Sequence, residues 1–260
     1  MHFVGVDIGS TASKVVVVDE AFKTEAMTIC NLGAGTNGID KAISAAFNHI
    51  GIDWNQVSYL VATGYGRQRF DRANDQISEI SCHAKGMTHI FPGVRTIVDI
   101  GGQDAKAIRL QKSGALENFI MNEKCAAGTG RFLEVMARVL DCDISQLGEI
   151  DKQARNVIDI SSTCTVFAES EVISQLSSGK PIPDIVAGVH RSVAVRAAGL
   201  VRRLGAIEEP LAMSGGVARN SGVVRALEKE LGISIRVDKR CQFCGAIGAA
   251  LFAAETQMKN

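Results

Sequence analysis

Three observations predict an α/β protein built from a duplicated half, the two halves facing each other across a cleft. Phe3 to Asp7 and Lys14 to Val18 are apolar runs around the tight turn Ile8-Gly9-Ser10-Thr11, the pattern of two strands joined by a glycine turn. Val94 to Ile100, Gly101-Gly102-Gln103-Asp104 and Ala107 to Leu110 repeat it. Aligned on their Asp-Ile-Gly cores, the hairpins match Val6 with Val98, Asp7 with Asp99, Ile8 with Ile100, Gly9 with Gly101 and Lys14 with Lys106. Mixed strand and helix follow each hairpin, as in α/β domains.

Between the hairpins, Gly33-Ala34-Gly35-Thr36-Asn37-Gly38 fits G-x-G-x-x-G, precedes a helix over Ile39 to Ile50 and has Asp53 downstream. A dinucleotide fingerprint needs the first strand of a parallel βαβ unit before it. Here a meander beginning at Phe3 precedes it, so the segment reads as a strand-to-helix loop.

Beyond the second hairpin, Lys124-Cys125-Ala126-Ala127-Gly128-Thr129-Gly130 leads into Phe132, Leu133, Met136, Val139 and Leu140, spaced as one helix face. Ser162-Thr163-Cys164-Thr165 leads into Val166, Phe167, Val172, Ile173 and Leu176, with Gly179 as the stop. Leu211 to Ser214, Gly215 and Gly216 join a short strand to a helix running to about Leu231, and helix starts of this type receive nucleotides. The Gly/Ala-rich tail from Gly245 to Ala254 predicts a helix packed closely on the N-terminal domain. The expected domains are residues 1–93 plus 245–260, and residues 94–244. No Pro/Gly/Ser linker divides them, so the join reads as a hinge rather than a tether.

The chain has 260 residues, and its 28 basic and 28 acidic side chains balance; a nucleic-acid polyanion finds no basic excess. No apolar run reaches the ~18 residues of a membrane span. The apolar start is interrupted by Asp7 and lacks a basic leader, which reads as a strand and not a signal peptide. The expected compartment is the cytoplasm. There, seven cysteines at 30, 82, 125, 142, 164, 241 and 244 argue for thiol, metal or redox roles over structural disulfides.

Glycines at such turns let backbone N–H groups approach phosphate oxygens, and neighbouring hydroxyls add donors. Gly9, Ser10 and Thr11, then Gly101, Gly102 and Gln103, and finally Ser214, Gly215 and Gly216 are therefore candidate contacts for ATP or ADP, joined by Gly128, Thr129 and Gly130. Asp7 and Asp99 would hold Mg²⁺, mostly through its waters, and Lys14 would neutralise phosphate charge. Cys125 and Cys164 stand at helix mouths, where a thiolate or an anionic iron–sulfur cluster is favoured. A cubane cluster normally takes four thiolates, and a two-fold dimer sharing one cluster on its axis would supply the pair that one chain lacks.

The three glycine motifs resemble the phosphate-1, phosphate-2 and adenosine motifs of the acetate and sugar kinase, heat-shock chaperone and actin superfamily, whose domains are ribonuclease H-like. More narrowly, Ala62-Thr63-Gly64-Tyr65-Gly66-Arg67, Ser78-Glu79-Ile80-Ser81-Cys82-His83-Ala84, residues 122–134 around Cys125 and residues 161–171 around Cys164 resemble the activators of 2-hydroxyacyl-CoA dehydratases. The resemblance runs nearly end to end. It implies a homodimer with one 4Fe-4S cluster held by Cys125 and Cys164 of both subunits, and an ATP site in each. It further implies an electron taken from ferredoxin or flavodoxin and passed to an iron–sulfur 2-hydroxyacyl-CoA dehydratase, coupled to ATP hydrolysis. An electron-donating subunit of a benzoyl-CoA reductase or a double-cubane reductase shares nearly all these motifs and stays open. A small-molecule kinase of the superfamily would need no cluster cysteines.

Glu79 precedes the second phosphate turn, where superfamily members carry a water-orienting polar side chain; it is the candidate general base, with Gln103 as the alternative. Cys241 and Cys244 form C-x-x-C and read as buried thiols, a second redox or metal site being the alternative. Cys82 reads as helix packing, and the five histidines as structural, none being at ligand spacing with another.

Overall fold

The computed structural model describes residues 1–123, 125–161 and 163–259; Lys124 and Ser162 of the two cysteine segments, and Asn260, lie outside the described residues. The chain forms two compact units, residues 1–93, 112–116 and 240–260, and residues 94–111 and 117–239.

The first unit opens with β1 (His2–Ile8), β2 (Ser13–Val18) and β3 (Thr24–Cys30), then α1 (Gly38–Ile50), β4 (Val57–Thr63), β5 (Asp75–Gln76) and α2 (Glu79–Ile90). Its sheet runs β3-β2-β1-β4-β5, with β1 to β3 an antiparallel meander and β4 and β5 parallel to β1. Val4, Val6, Val15 and Val17 alternate along β1 and β2 and meet Ile39, Ile43 and Phe47 of α1 in one apolar cluster.

The second unit contains β6 (Thr96–Ile100), β7 (Ala105–Leu110), β8 (Leu116–Asn122), α3 (Gly130–Val139), α4 (Leu147–Ile150), α5 (Thr165–Ser177), α6 (Ile182–Arg203), β9 (Leu211–Ser214), α7 (Ser221–Leu231) and β10 (Ile235–Arg236). Its sheet order is β8-β7-β6-β9-β10, with β7 antiparallel and β9 parallel to β6. Strand for strand this is the order of the first unit, so the duplication seen in the hairpins extends to whole sheets.

The chain returns to the first unit for α8 (Cys244–Lys259), which packs on α2, β1, β4 and β2. Gly5 of β1 makes this approach possible, because a Cβ there would lie 2.1 Å from the Ala246 carbonyl oxygen.

Three expectations are corrected. The helix behind Cys125 begins only at Gly130, with Thr129 as its N-cap, so Cys125 lies in the approaching loop and not at the helix end. The glycine doublet after β9 likewise does not start the α-helix that runs to Leu231. Gly216–Arg219 form a 3-10 turn, and α7 begins at Ser221, where the Asn220 side chain accepts from Gly222 N and Val223 N. In α5 the buried positions are Ala168 and Val172, whereas Val166, Phe167 and Ile173 are exposed in the single chain. Phe132, Leu133, Met136 and Leu140 are buried as their spacing predicts. The G-x-G-x-x-G segment follows an antiparallel strand and lies against the first turn, Ala34 N donating to Gly9 O at 2.9 Å.

Candidate functional site

In the first unit the β1–β2 turn is closed by Gly9 N donating to Ala12 O at 3.0 Å, which leaves Ser10 and Thr11 half-buried at its tip. Asp7 is buried and pairs across the hairpin with Lys14, whose Nζ lies 2.9 Å from Asp7 Oδ2. The Lys14 charge is therefore engaged with Asp7 as well as lying beside the turn. The Thr63 to Arg67 loop folds back on the turn, Gly66 N donating to Ile8 O at 2.8 Å. Glu79 opens α2, whose N-cap Ser78 Oγ accepts from Ser81 N.

The second unit repeats this arrangement more deeply buried. Gly101 N donates to Asp104 O at 2.9 Å, and Asp99 stands opposite Lys106 with Nζ 3.3 Å from Oδ2, both side chains 1% exposed. Lys106 also pairs with Asp104. The other carboxylate oxygen of Asp99 accepts from Ser214 Oγ at 2.7 Å. Gly215 (φ +84°) lets the third glycine element lie against β6, because a Cβ there would sit 2.2 Å from Ile100 O. Gly130 N and Arg131 N donate to Gly101 O and Gly102 O at 2.9 and 2.8 Å. Asp99, Gly101, Gly102, Gly130, Ser214 and Gly215 are thereby brought together. Gln103 is exposed at the turn, a Cβ on Gly216 would meet open space, and the buried Thr129 hydroxyl is committed to Ala126 O at 2.7 Å.

Cys125 and Cys164 are half-buried free thiols on two loops of this unit. Cys164 is the N-cap of α5, its carbonyl accepting from Ala168 N at 3.0 Å. Arg196 of α6 touches both loops. Its guanidinium donates to Thr163 O at 3.4 Å, and a methyl on Gly128 would lie 3.0 Å from its Cβ. A cavity of about 400 Å³ beside the Cys125 loop is lined by Asn122, Ala127, Gly128, Arg196 and Arg203. Thr165 Oγ1 is buried without a hydrogen-bond partner among the described residues. Soft thiol donors with cations close by suit an anionic iron–sulfur group. Spacing could not reveal Arg196 or the Ser214–Asp99 bond, because each joins segments far apart in the chain.

Cys241 and Cys244 are buried, and Cys244 Sγ lies 3.2 Å from His83 Nδ1. Cys82 is fully buried, and burial pushes its thiol up to about 12.

Two five-stranded sheets of the same strand order, each led by an acid-and-glycine hairpin, define an α/β fold shared with sugar kinases. A ROK family glucokinase from Streptomyces griseus shares that fold with a TM-score of 0.60 at 16% identity, over 98% of this chain and 100% of the other. The chain belongs to the BadF/BadG/BcrA/BcrD ATPase family, whose sequence profile matches residues 4–253. It is 52% identical to the activator of lactoyl-CoA dehydratase from Anaerotignum propionicum over 100% of both chains. The Clostridium difficile activator of 2-hydroxyisocaproyl-CoA dehydratase, solved with bound ADPNP, has a TM-score of 0.97 at 49% identity, over 100% of this chain and 96% of the other. One of the subunits of benzoyl-CoA reductase from Thauera aromatica is 33% identical over 96% of this chain and 92% of its own.

Proposed function

We propose that this chain is an ATP-hydrolysing activator that passes a low-potential electron from ferredoxin or flavodoxin to an iron–sulfur 2-hydroxyacyl-CoA dehydratase. The carrying observation is the pair of hydrogen bonds from Gly130 and Arg131 to Gly101 and Gly102. They connect the turn proposed to grip phosphate directly to the segment that follows Cys125. A change at that turn on hydrolysis is thus felt at the cysteine loop. Higher identity to dehydratase activators than to the benzoyl-CoA reductase component favours this reading over an electron-donating reductase subunit.

In each unit the hairpin turn offers backbone N–H groups to phosphate, from Ser10 and Thr11 in one and from Gly102 and Gln103 in the other, while Gly9 N and Gly101 N close the turns and the missing side chains of Gly9 and Gly101 leave room for the phosphate oxygens. Gly215 and Gly216 receive the nucleoside end, Ser214 fixes Asp99, and Gly128 and Gly130 shape the loop beside the second turn. Asp7 and Asp99 already pair with lysines, so they would hold Mg²⁺ through its waters. Glu79 orients and deprotonates the attacking water, and exposed Gln103 is the alternative. A 4Fe-4S cluster bound by Cys125 and Cys164 of two copies would supply one-electron chemistry. Arg196 braces both loops and lends them positive charge. The exposed Val166, Phe167 and Ile173 next to Cys164 support a second copy packing there. Seven free thiols fit the reducing cytoplasm. Residues 1–93 with 245–260, and residues 94–244, are the two ribonuclease H-like domains in this reading.

The test is anaerobic. The purified chain, reduced ferredoxin or flavodoxin and a 2-hydroxyacyl-CoA dehydratase are mixed with MgATP, and dehydratase reduction is followed optically. ATP-dependent reduction is expected; reduction that proceeds equally without ATP would remove the proposed coupling.

A further inference from the structure

Inside the first unit, behind the phosphate turn, a chain of polar groups crosses from α2 to α8, running from partly exposed Glu79 through buried His83 to buried Cys244. His83 lies one turn after Glu79 on the same face of α2, and its Nε2 is 3.7 Å from Glu79 Oε1, within ion-pair reach. On its other side Nδ1 meets Cys244 Sγ at 3.2 Å. The ring is only 6% exposed and the thiol is fully buried. The mounting is tight: a Cβ at Gly86 would lie 2.0 Å from the Cys244 carbonyl oxygen, so α2 and α8 meet backbone to backbone at this level. Asp7 is close as well, because one point in space, the position of a Cβ on Gly245, is 3.0 Å from His83 Nε2 and 3.1 Å from Asp7 Oδ2.

We infer that His83, mounted on the Cys244 thiol, is the positioning residue for Glu79. The inference rests on the proposed role of Glu79 in hydrolysis. In that step the water oxygen bonds to the γ-phosphorus while the bond from phosphorus to the β–γ bridging oxygen breaks. ADP leaves with the bridging oxygen, and the water proton passes to the Glu79 carboxylate and then to the released phosphate. A carboxylate at the first turn of a helix assists only in those rotamers that direct it at the water. With Nδ1 engaged by sulfur, Nε2 is the nitrogen turned toward Glu79, so the ring biases the carboxylate from one side. The inference also gives the second cysteine of the C-x-x-C a task that needs neither a disulfide nor a metal.

Steady-state ATP hydrolysis by the intact protein tests this with Glu79→Gln, His83→Gln, the double variant, Cys244→Ala and Cys244→Ser. Glu79→Gln should lower kcat about 100-fold. His83→Gln should lower kcat about 10-fold with KM for MgATP within about 2-fold, and add less than about 2-fold in the Glu79→Gln background, since residues acting as one unit are not additive. Cys244→Ala should slow turnover as His83→Gln does, and Cys244→Ser, which keeps a hydrogen-bonding oxygen, should recover most of that loss. If Glu79→Gln turned over at the wild-type rate, the reading of Glu79 itself would fall. If Glu79→Gln were slow but the His83 effect were additive, absent or confined to KM, only the present inference would fall. Should His83→Gln not fold, the contrast between Cys244→Ala and Cys244→Ser decides, and equal rates for those two would overturn the inference.

Discussion

The Gly130 amide donates to the Gly101 carbonyl at 2.9 Å, so the helix behind the Cys125 loop starts on the turn that ends β6. The neighbouring bond from Arg131 to Gly102 makes this a two-point attachment. Two attachments resist rotation as well as translation, so a displacement of the turn carries the helix start with it.

Nucleotide state should therefore be visible at the cysteine loops. Chelator access to iron and the midpoint potential of the anaerobic protein are expected to differ between no nucleotide, ADP and a non-hydrolysable ATP analogue. Linkage requires nucleotide affinity to depend on oxidation state by the same coupling energy, typically ~1 to 3 kcal/mol. Identical access and potential in all three states would mean that the attachment transmits nothing in the isolated protein.

Iron content tests the ligand set. Anaerobically purified protein is expected to be brown and to hold about four irons per dimer, the content of one shared cubane. Cys125→Ser and Cys164→Ser should each abolish it, whereas Cys241→Ser and Cys244→Ser, at buried positions, should retain it. Normal iron in a Cys125 or Cys164 variant would reject the shared site, and loss with Cys241→Ser or Cys244→Ser would reassign the ligands.

Hydrolysis tests the acid-led turns. Asp7→Asn and Asp99→Asn are expected to reduce Mg²⁺-dependent ATP hydrolysis by roughly two orders of magnitude if each carboxylate positions the metal's waters. The iron content should survive both changes. Near wild-type hydrolysis in both would mean that these carboxylates serve only their partners Lys14, Lys106 and Ser214.

Burial raises the Cys82 thiol from an ordinary 9.0 to about 12, so at pH 8 it is protonated and inert in the folded protein. Alkylation at that pH should spare Cys82 and label it fully in denaturant. The fold holds the proton that the unfolded chain releases, so the stabilisation is complete below about pH 9 and is lost as pH rises toward about 12. Urea midpoints at pH 8 and pH 10 should fall less in Cys82→Ala than in the parent. Native labelling of Cys82 as fast as that of half-buried Cys30 would contradict the buried environment.

Much of the hairpin geometry was legible in the sequence. Strand period and glycine turns are local, so the match of Asp7-Lys14 with Asp99-Lys106 in the linear chain becomes the same cross-strand pairing in both sheets. The cysteine segments and the family signature are equally local strings. Helix starts were legible only approximately, because an N-cap is settled by competition among neighbouring hydrogen-bond partners: Asn220 takes that role for α7 and leaves the glycine doublet outside. The apolar spacing of α5 reads the same whether its face meets the chain's own core or faces outward, and only packing leaves Val166, Phe167 and Ile173 exposed. The Asp99–Ser214 bond spans 115 residues and the His83–Cys244 contact 161. Such meetings depend on how sheets and helices close on one another, a property of the packed whole that no window of sequence contains.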